Sequence, residues 1–184
     1  MLEKFFLDRD DALLVIVDIQ ERLARVMEER DVVVNNCLHL IELARLRSMP
    51  VVVTEQYPKG LGPTLPEIAD ALGDTDPVEK ITFSCCGEAG FLEKVRSTER
   101  RKIILTGMET HVCVLQTALD LMKDGYIVDL VEDAVTSRRR ENKETALRFL
   151  RDAGCVVTCT ETVLFQILER AGTDEFKSIA RRIK

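Results

Sequence analysis

The chain has 184 residues, 26 of them basic and 32 acidic, for a formal net charge of −6, and 46% are apolar. That length suits one domain spanning residues 1–184, with a core that holds without staples, and the interspersed acidic balance excludes the basic footprint of a nucleic-acid binder. No apolar run approaches a membrane span, the charged opening Met1–Asp10 does not read as a signal sequence, and six cysteines without zinc-type or secretory spacing are expected as reduced thiols in the cytoplasm.

The first predicted strand runs from Ala12 to Asp18. Its core, Leu13 to Val17, is continuously apolar, as in a central parallel strand buried on both faces. The strand stops at a carboxylate. An acid there lies in the crevice where open α/β sheets hold ligands, or else it caps the next turn. Val32, Val33, Cys37, Leu40, Ile41 and Ala44 then recur at helical spacing to about Arg47, where Met49-Pro50 ends the helix. Val51 to Val53 is a second strand, and its exit, Thr54 to Thr64, is rich in Gly and Pro and reads as an ordered loop over a site. A short helix over Leu65 to Leu72 precedes an extended segment, Val78 to Phe83, that carries Lys80 between apolar positions. Ala89 to Ser97 is a further helix.

Lys102 to Leu105 is short, branched and apolar, and reads as a buried strand bent by Thr106-Gly107. Thr110 is a suitable N-cap for a helix over Val112 to Lys123, which sets Cys113 in the first turn. Free N–H groups and the helix dipole favour a thiolate at such a position. A buried cysteine also serves as ordinary packing. The helix stops at Asp124-Gly125. Strand Tyr126 to Val131, helix Asn142 to Ala153, strand Cys155 to Thr158 and helix Val163 to Arg170 continue the alternation, and Phe176, Ile179, Ala180 and Ile183 mark a terminal helix. Strands alternating with helices specify an α/β three-layer sandwich, a mostly parallel Rossmann-like sheet with helices on both faces. Asp18-Ile19-Gln20-Glu21-Arg22 holds no glycine, so no dinucleotide fingerprint follows the first strand and no cofactor is expected.

Asp18 within Val-Asp-Ile-Gln, Lys80 within Glu-Lys-Ile-Thr-Phe-Ser and Cys113 within Thr-Gly-Met-Glu-Thr-His-Val-Cys-Val resemble the Asp, Lys and Cys triad of the isochorismatase-like cysteine hydrolases. The stretches Val53 to Gly62, Glu132 to Arg138 and Glu161 to Phe165 are similar to the same family, so the likeness covers roughly residues 10 to 170. The resemblance implies that Cys113 attacks a carbonyl, Asp18 accepts the thiol proton and later activates water, and Lys80 stabilises the thiolate. It further implies an oxyanion hole from the backbone N–H groups of Glu109 and Cys113, with a cis peptide between Met108 and Glu109, and a homo-oligomeric assembly.

Two departures bear on chemistry. Nicotinamide-hydrolysing relatives hold a metal through an aspartate and histidines after the second strand, where this chain has Glu55-Gln56-Tyr57. With His39 and His111 as the whole histidine complement, no metal site is expected. Isochorismatase itself does not have the nucleophilic cysteine, so Cys113 argues for acyl chemistry. Glu55, Gln56, Tyr57, Phe83 and His111 flank the strand ends and are candidate pocket walls. Of Arg138, Arg139 and Arg140, at least two are expected in solvent, and one arginine is available for an anionic group.

The leading expectation is thus a metal-independent cysteine hydrolase cleaving a small amide or related C–N bond, with a small-molecule substrate and neither nucleic acid nor membrane as partner. The alternative is a homo-oligomeric small-molecule-binding module with a residual triad, in which the apolar Val163 to Leu168 lies in an interface or the core. A third reading is a thiol redox protein pairing Cys113 with Cys85 or Cys86.

Overall fold

The structure is a computed structural model that describes residues 2–184. In chain order the elements are β1 (Ala12–Val17), α1 (Glu21–Ala24), α2 (Arg30–Arg47), β2 (Val51–Gln56), α3 (Pro58–Leu61), α4 (Pro66–Leu72), β3 (Val78–Lys80) and α5 (Ala89–Ser97). Then follow β4 (Lys102–Met108), a π-helical turn (Thr110–Val114), α6 (Leu115–Lys123), β5 (Ile127–Thr136), α7 (Arg140–Asp152), β6 (Val156–Thr158), α8 (Thr160–Leu168) and α9 (Asp174–Arg182). Two short 3-10 turns, Glu3–Phe5 and Cys85–Gly87, complete the set.

The six strands form one sheet in the order β3-β2-β1-β4-β5-β6, with every neighbouring pair parallel. Strand residues alternate between two apolar layers. Leu14 and Ile16 of β1 pack with Ile104 of β4 against Val33 and Leu40 of α2, Ile68 of α4 and Leu164 of α8. Leu13, Val15 and Val17 face the other way, with Phe91 of α5, Leu121 of α6 and Leu150 of α7. Helices therefore cover both faces, and the continuous apolar run of β1 follows from burial on both sides.

The strand order runs outward in both directions from β1 and β4, so the topological switch point lies between them, where open α/β sheets leave a crevice at the carboxyl ends. Asp18 follows β1 directly and the turn bearing Cys113 follows β4. Gly107 holds this seam. Its φ is +123°, and a Cβ built there would stand 2.0 Å from the Val17 carbonyl oxygen. Only glycine allows that approach. The sequence reading took Thr106-Gly107 as the end of the strand, whereas β4 runs on to Met108 in register with Val17 and, past a bulge, with Val135 and Thr136.

Other boundaries differ for identifiable reasons. β5 reaches Thr136 and not Val131, because Glu132 and Asp133 break the apolar run without breaking the strand. The Asp133 carboxylate accepts from the Thr160 backbone N–H at 2.8 Å and its hydroxyl at 2.8 Å, and this cap from a distant strand starts α8 ahead of Val163. Strand β2 extends to Gln56 and α3 occupies part of the expected loop, while the extended segment at Val78 stops at Lys80. In α8, Val163, Leu164, Ile167 and Leu168 are buried in the core, and half-exposed Phe165 packs at a tilt of 46° against Phe176, ring centroids 6.3 Å apart.

Candidate active site

Three strand ends converge on one buried cluster. Asp18 has φ +52°, a left-handed conformation that Asp tolerates better than most residues. Its backbone N–H donates to the Thr54 carbonyl at 3.2 Å. Lys80 ends β3, and its ammonium lies 2.8 Å from Asp18 Oδ2 with both side chains fully buried. Nζ also donates to Gln56 Oε1 at 2.6 Å, Phe83 O at 3.1 Å and Thr82 O at 3.2 Å. Asp18 Oδ2 is thus paired with the ammonium, while Oδ1 accepts from the Thr54 hydroxyl at 2.7 Å. Cys113, 5% exposed, brings its thiol within side-chain hydrogen-bonding reach of the Asp18 carboxyl and 3.9 Å from Gln56 Oε1.

Burial raises Asp18 above the ordinary carboxylate range, against the opposing pull of the Lys80 charge and the Thr54 hydroxyl. Burial acts against the Lys80 ammonium too, but the adjacent Asp18 outweighs it and Lys80 is held above the usual lysine range. The Cys113 thiol is pushed up to about 12, by burial first and then by the Asp18 carboxylate, with Lys80 working the other way. Burial and the adjacent carboxylate thus act against the thiolate that the helix end favours, which gives a neighbouring base the task of removing the proton. The capping expectation is corrected. Thr110 is the first residue of the π-helical turn, Glu109 precedes it, and the Thr110 hydroxyl is buried without a partner.

Glu109 follows a cis peptide bond from Met108, and its buried carboxylate accepts from the Arg138 backbone N–H at 2.9 Å and from Nε at 3.1 Å. Arg138 therefore offsets the charge that Glu109 brings to the site. His111 is wedged between Ser137, with Nδ1 to Oγ 2.9 Å, and Asn142, with Nε2 to Nδ2 3.3 Å, which occupies both ring nitrogens. Glu55 turns away to Thr64, accepting from its backbone N–H at 2.6 Å and its hydroxyl at 2.7 Å, and so props the loop. Tyr57 and Phe83 are 51% and 55% exposed beside the cluster. A cleft of about 280 Å³ lined by Tyr57, Pro58, Lys59, Ile81 and Glu88 flanks Lys80.

Sequence reasoning overlooked the supporting shell. Gln20 is fully buried, donates to the carbonyls of Gln56 at 3.0 Å and Gly62 at 2.7 Å, and accepts from the Gln56 N–H at 2.8 Å, clamping the exits of β1 and β2 together. Thr54 and Cys85 touch the cluster from behind. A buried glutamine just past an apolar strand was the available signal, since such a group needs partners. All six cysteines carry free thiols. Among the described residues no group of three or more His, Cys, Asp or Glu is arranged to hold a metal ion, and no helix is long and apolar enough to cross a membrane.

Comparison with known proteins converges on one family. A family model described as the isochorismatase domain matches residues 12–162. Isochorismatase domain-containing protein 2 of Bos taurus is 39% identical over 173 residues, covering 94% of this chain and 83% of the relative. The secreted isochorismatase effector Isc1 of Phytophthora sojae is 38% identical over 179 residues, covering 94% and 84%. Among solved structures, one described as MAR1 ribonuclease from Caenorhabditis elegans superposes with a TM-score of 0.90 at 32% identity, covering 97% of this chain and 92% of that one. The YcaC product of Escherichia coli, described as an octameric hydrolase of unknown specificity, has a TM-score of 0.90 at 24% identity, covering 96% and 90%.

Proposed function

Since this chain belongs to the isochorismatase family, we propose that it is a cysteine hydrolase that cleaves a small amide or related carbon–nitrogen bond, without a metal, through a thioester on Cys113. Asp18 takes the proton from the thiol, the sulfur attacks the carbonyl carbon, and the amine leaves with the proton that Asp18 returns. Asp18 then draws a proton from water, whose oxygen attacks the thioester to release the acid and restore the thiol. Lys80 remains an ammonium and balances whichever partner carries the negative charge. Backbone N–H groups of Glu109 and Cys113 hold the oxyanion.

The observation that carries this reading is the fully buried Lys80–Asp18 pair at 2.8 Å set against a thiol. A buried ion pair loses hydration that apolar residues would not, so packing alone does not account for it. The donor set after β2 supports a metal-free reaction, because Glu55 serves Thr64 and Gln56 serves Lys80. A small uncharged amide fits a mouth where Arg138 meets the Glu109 charge. The nematode relative's description as a ribonuclease does not carry over, since a net charge of −6 disfavours a polyanion. The half-exposed Tyr57 and Phe83 and the exposed Ile81 at the mouth support assembly into a homo-oligomer, which light scattering of the purified protein tests.

Iodoacetamide at neutral pH tests the nucleophile. Because Asp18 takes the thiol proton as the sulfur attacks, Cys113 is expected to react ahead of Cys86 and Cys159 although they are more exposed, and a panel of small amides is expected to yield a substrate whose turnover Cys113→Ala abolishes. Equal alkylation of all three thiols sinks the reading. Retention of a co-purified small molecule by a wild type that turns over nothing favours the binding module instead.

A further inference from the structure

We propose that Thr54 is a positioning residue that fixes the Asp18 carboxyl that receives the Cys113 proton. The inference rests on the cysteine-hydrolase reading above and assigns a task to a side chain that this reading does not use.

Thr54 is fully buried in β2. Its hydroxyl has one proton and donates it to Asp18 Oδ1 at 2.7 Å. The Cys85 thiol, also fully buried, donates to the same hydroxyl oxygen at 3.7 Å, so Thr54 faces a donor on one side and an acceptor on the other and its proton has one direction to point. Burial, with the Asp18 charge behind it, pushes the Cys85 thiol up to about 11, which keeps it a donor. The Cys85 backbone N–H is itself tied to the Thr117 hydroxyl at 2.9 Å. The result is a directed chain, Cys85 Sγ–H to Thr54 Oγ1–H to Asp18 Oδ1.

The consequence falls on the whole carboxyl. Oδ2 is held by the Lys80 ammonium at 2.8 Å, whose other acceptors are Gln56 Oε1 and the Thr82 and Phe83 carbonyls. With a cation on one oxygen and the Thr54 hydroxyl on the other, the buried carboxyl is fixed in one orientation. Transfer from Cys113 then meets a fixed carboxyl: the S–H bond breaks, an O–H bond forms on Asp18, and the electron pair stays on sulfur beside Lys80. Without the Thr54 hydroxyl one of the two restraints on the carboxyl is lost, and the ionised form loses a hydrogen bond.

The test is the titration of the Asp18 carboxyl carbon followed by ¹³C NMR, assigned by its loss in Asp18→Asn, in wild type, Thr54→Val, Thr54→Ala and Thr54→Ser. The hydroxyl-free variants are expected to titrate about one pH unit higher and the serine variant to match wild type. In parallel, the pH profile of Cys113 alkylation is expected to move with Asp18 in the valine and alanine variants and to be restored by serine. An unmoved Asp18 titration in whichever hydroxyl-free variant folds overturns the proposal. So does a serine variant shifted as far as valine, because lost packing and not the hydroxyl would then be at work. An Asp18 shift without selective Cys113 alkylation in wild type leaves the Thr54–Asp18 assignment standing and defeats the hydrolase reading.

Discussion

Both ends of the sheet bury a lysine, an aspartate and a cysteine, yet the two trios are built differently. At the carboxyl end, Lys80 and Asp18 form a 2.8 Å pair and Cys113 shares its proton environment with that carboxyl. Toward the amino end, Lys102 and Asp129 lie in β4 and β5, and Cys155 precedes β6. There the Lys102 ammonium is taken up by the carbonyl oxygens of Glu3 and Phe6, where it fastens the first turn of the chain. Asp129 Oδ2 has no partner, and burial pushes its carboxyl up to about 7 against the pull of Lys102. The Cys155 thiol donates to the Val128 carbonyl at 3.1 Å. The lesson is that residue types do not make a reactive site. A carboxylate and a thiol share a cation at the end where strand exits, left-handed turns and a switch point meet, the setting in which the proposed base would work.

The sharpest way to break this contrast is to exchange the thiols. Cys113→Ala is expected to lower turnover of any amide substrate by at least about 10³-fold, while Cys155→Ala leaves kcat/KM within twofold; parallel kinetics on the two variants decide. Next are the lysines. Lys80→Met strands the Asp18 charge and is expected to lower stability by about 3–5 kcal/mol in urea titrations, with Asp18→Asn in the same chain recovering part of the loss. Lys102→Met, which removes donors to two carbonyls, should cost about 1–3 kcal/mol and leave Cys113 alkylation unchanged.

The aspartates separate in their pH dependence. Asp129 binds its proton more tightly folded, near 7, than unfolded, near 3.8, so stability falls as pH rises between those values and the penalty is complete above the higher one. Wild type should therefore lose up to about 4 kcal/mol relative to Asp129→Asn on going from pH 4 to pH 8; parallel slopes for the two proteins would refute this. The smallest effect is expected at Glu55→Gln, which weakens the two hydrogen bonds to Thr64 and should cost about 1 kcal/mol together with faster amide exchange in residues 57–64.

Much of this was legible along the chain. The run Leu13 to Val17, the alternation of strands with helices and the acid closing the first strand follow from local periodicity, and they lead to a parallel sheet with ligands at its carboxyl edge. The resemblance at Asp18, Lys80 and Cys113 added the chemistry. Less legible were Gln20, Thr54 and Cys85, because a polar or small residue next to an apolar run has no periodicity of its own and acquires meaning only from its partner. The charged pair Glu132-Asp133 hid half of β5 for the same reason: Asp133 is there to cap a helix that follows it by 27 residues.

The sequence by itself determined the class of fold and the inventory of reactive groups, since hydrophobic spacing and residue type are properties of neighbours along the chain. The tertiary structure alone decided the state of those groups. Burial and the Asp18 carboxylate push the Cys113 thiol up where the local helix end argued for a thiolate, Arg138 met the charge of Glu109, and of the two lysine–aspartate–cysteine trios one became a buried charge pair set against a thiol and the other a fastening. Desolvation and charge pairing depend on what lies within a few ångströms, and in this protein those neighbours come from strands far apart in sequence.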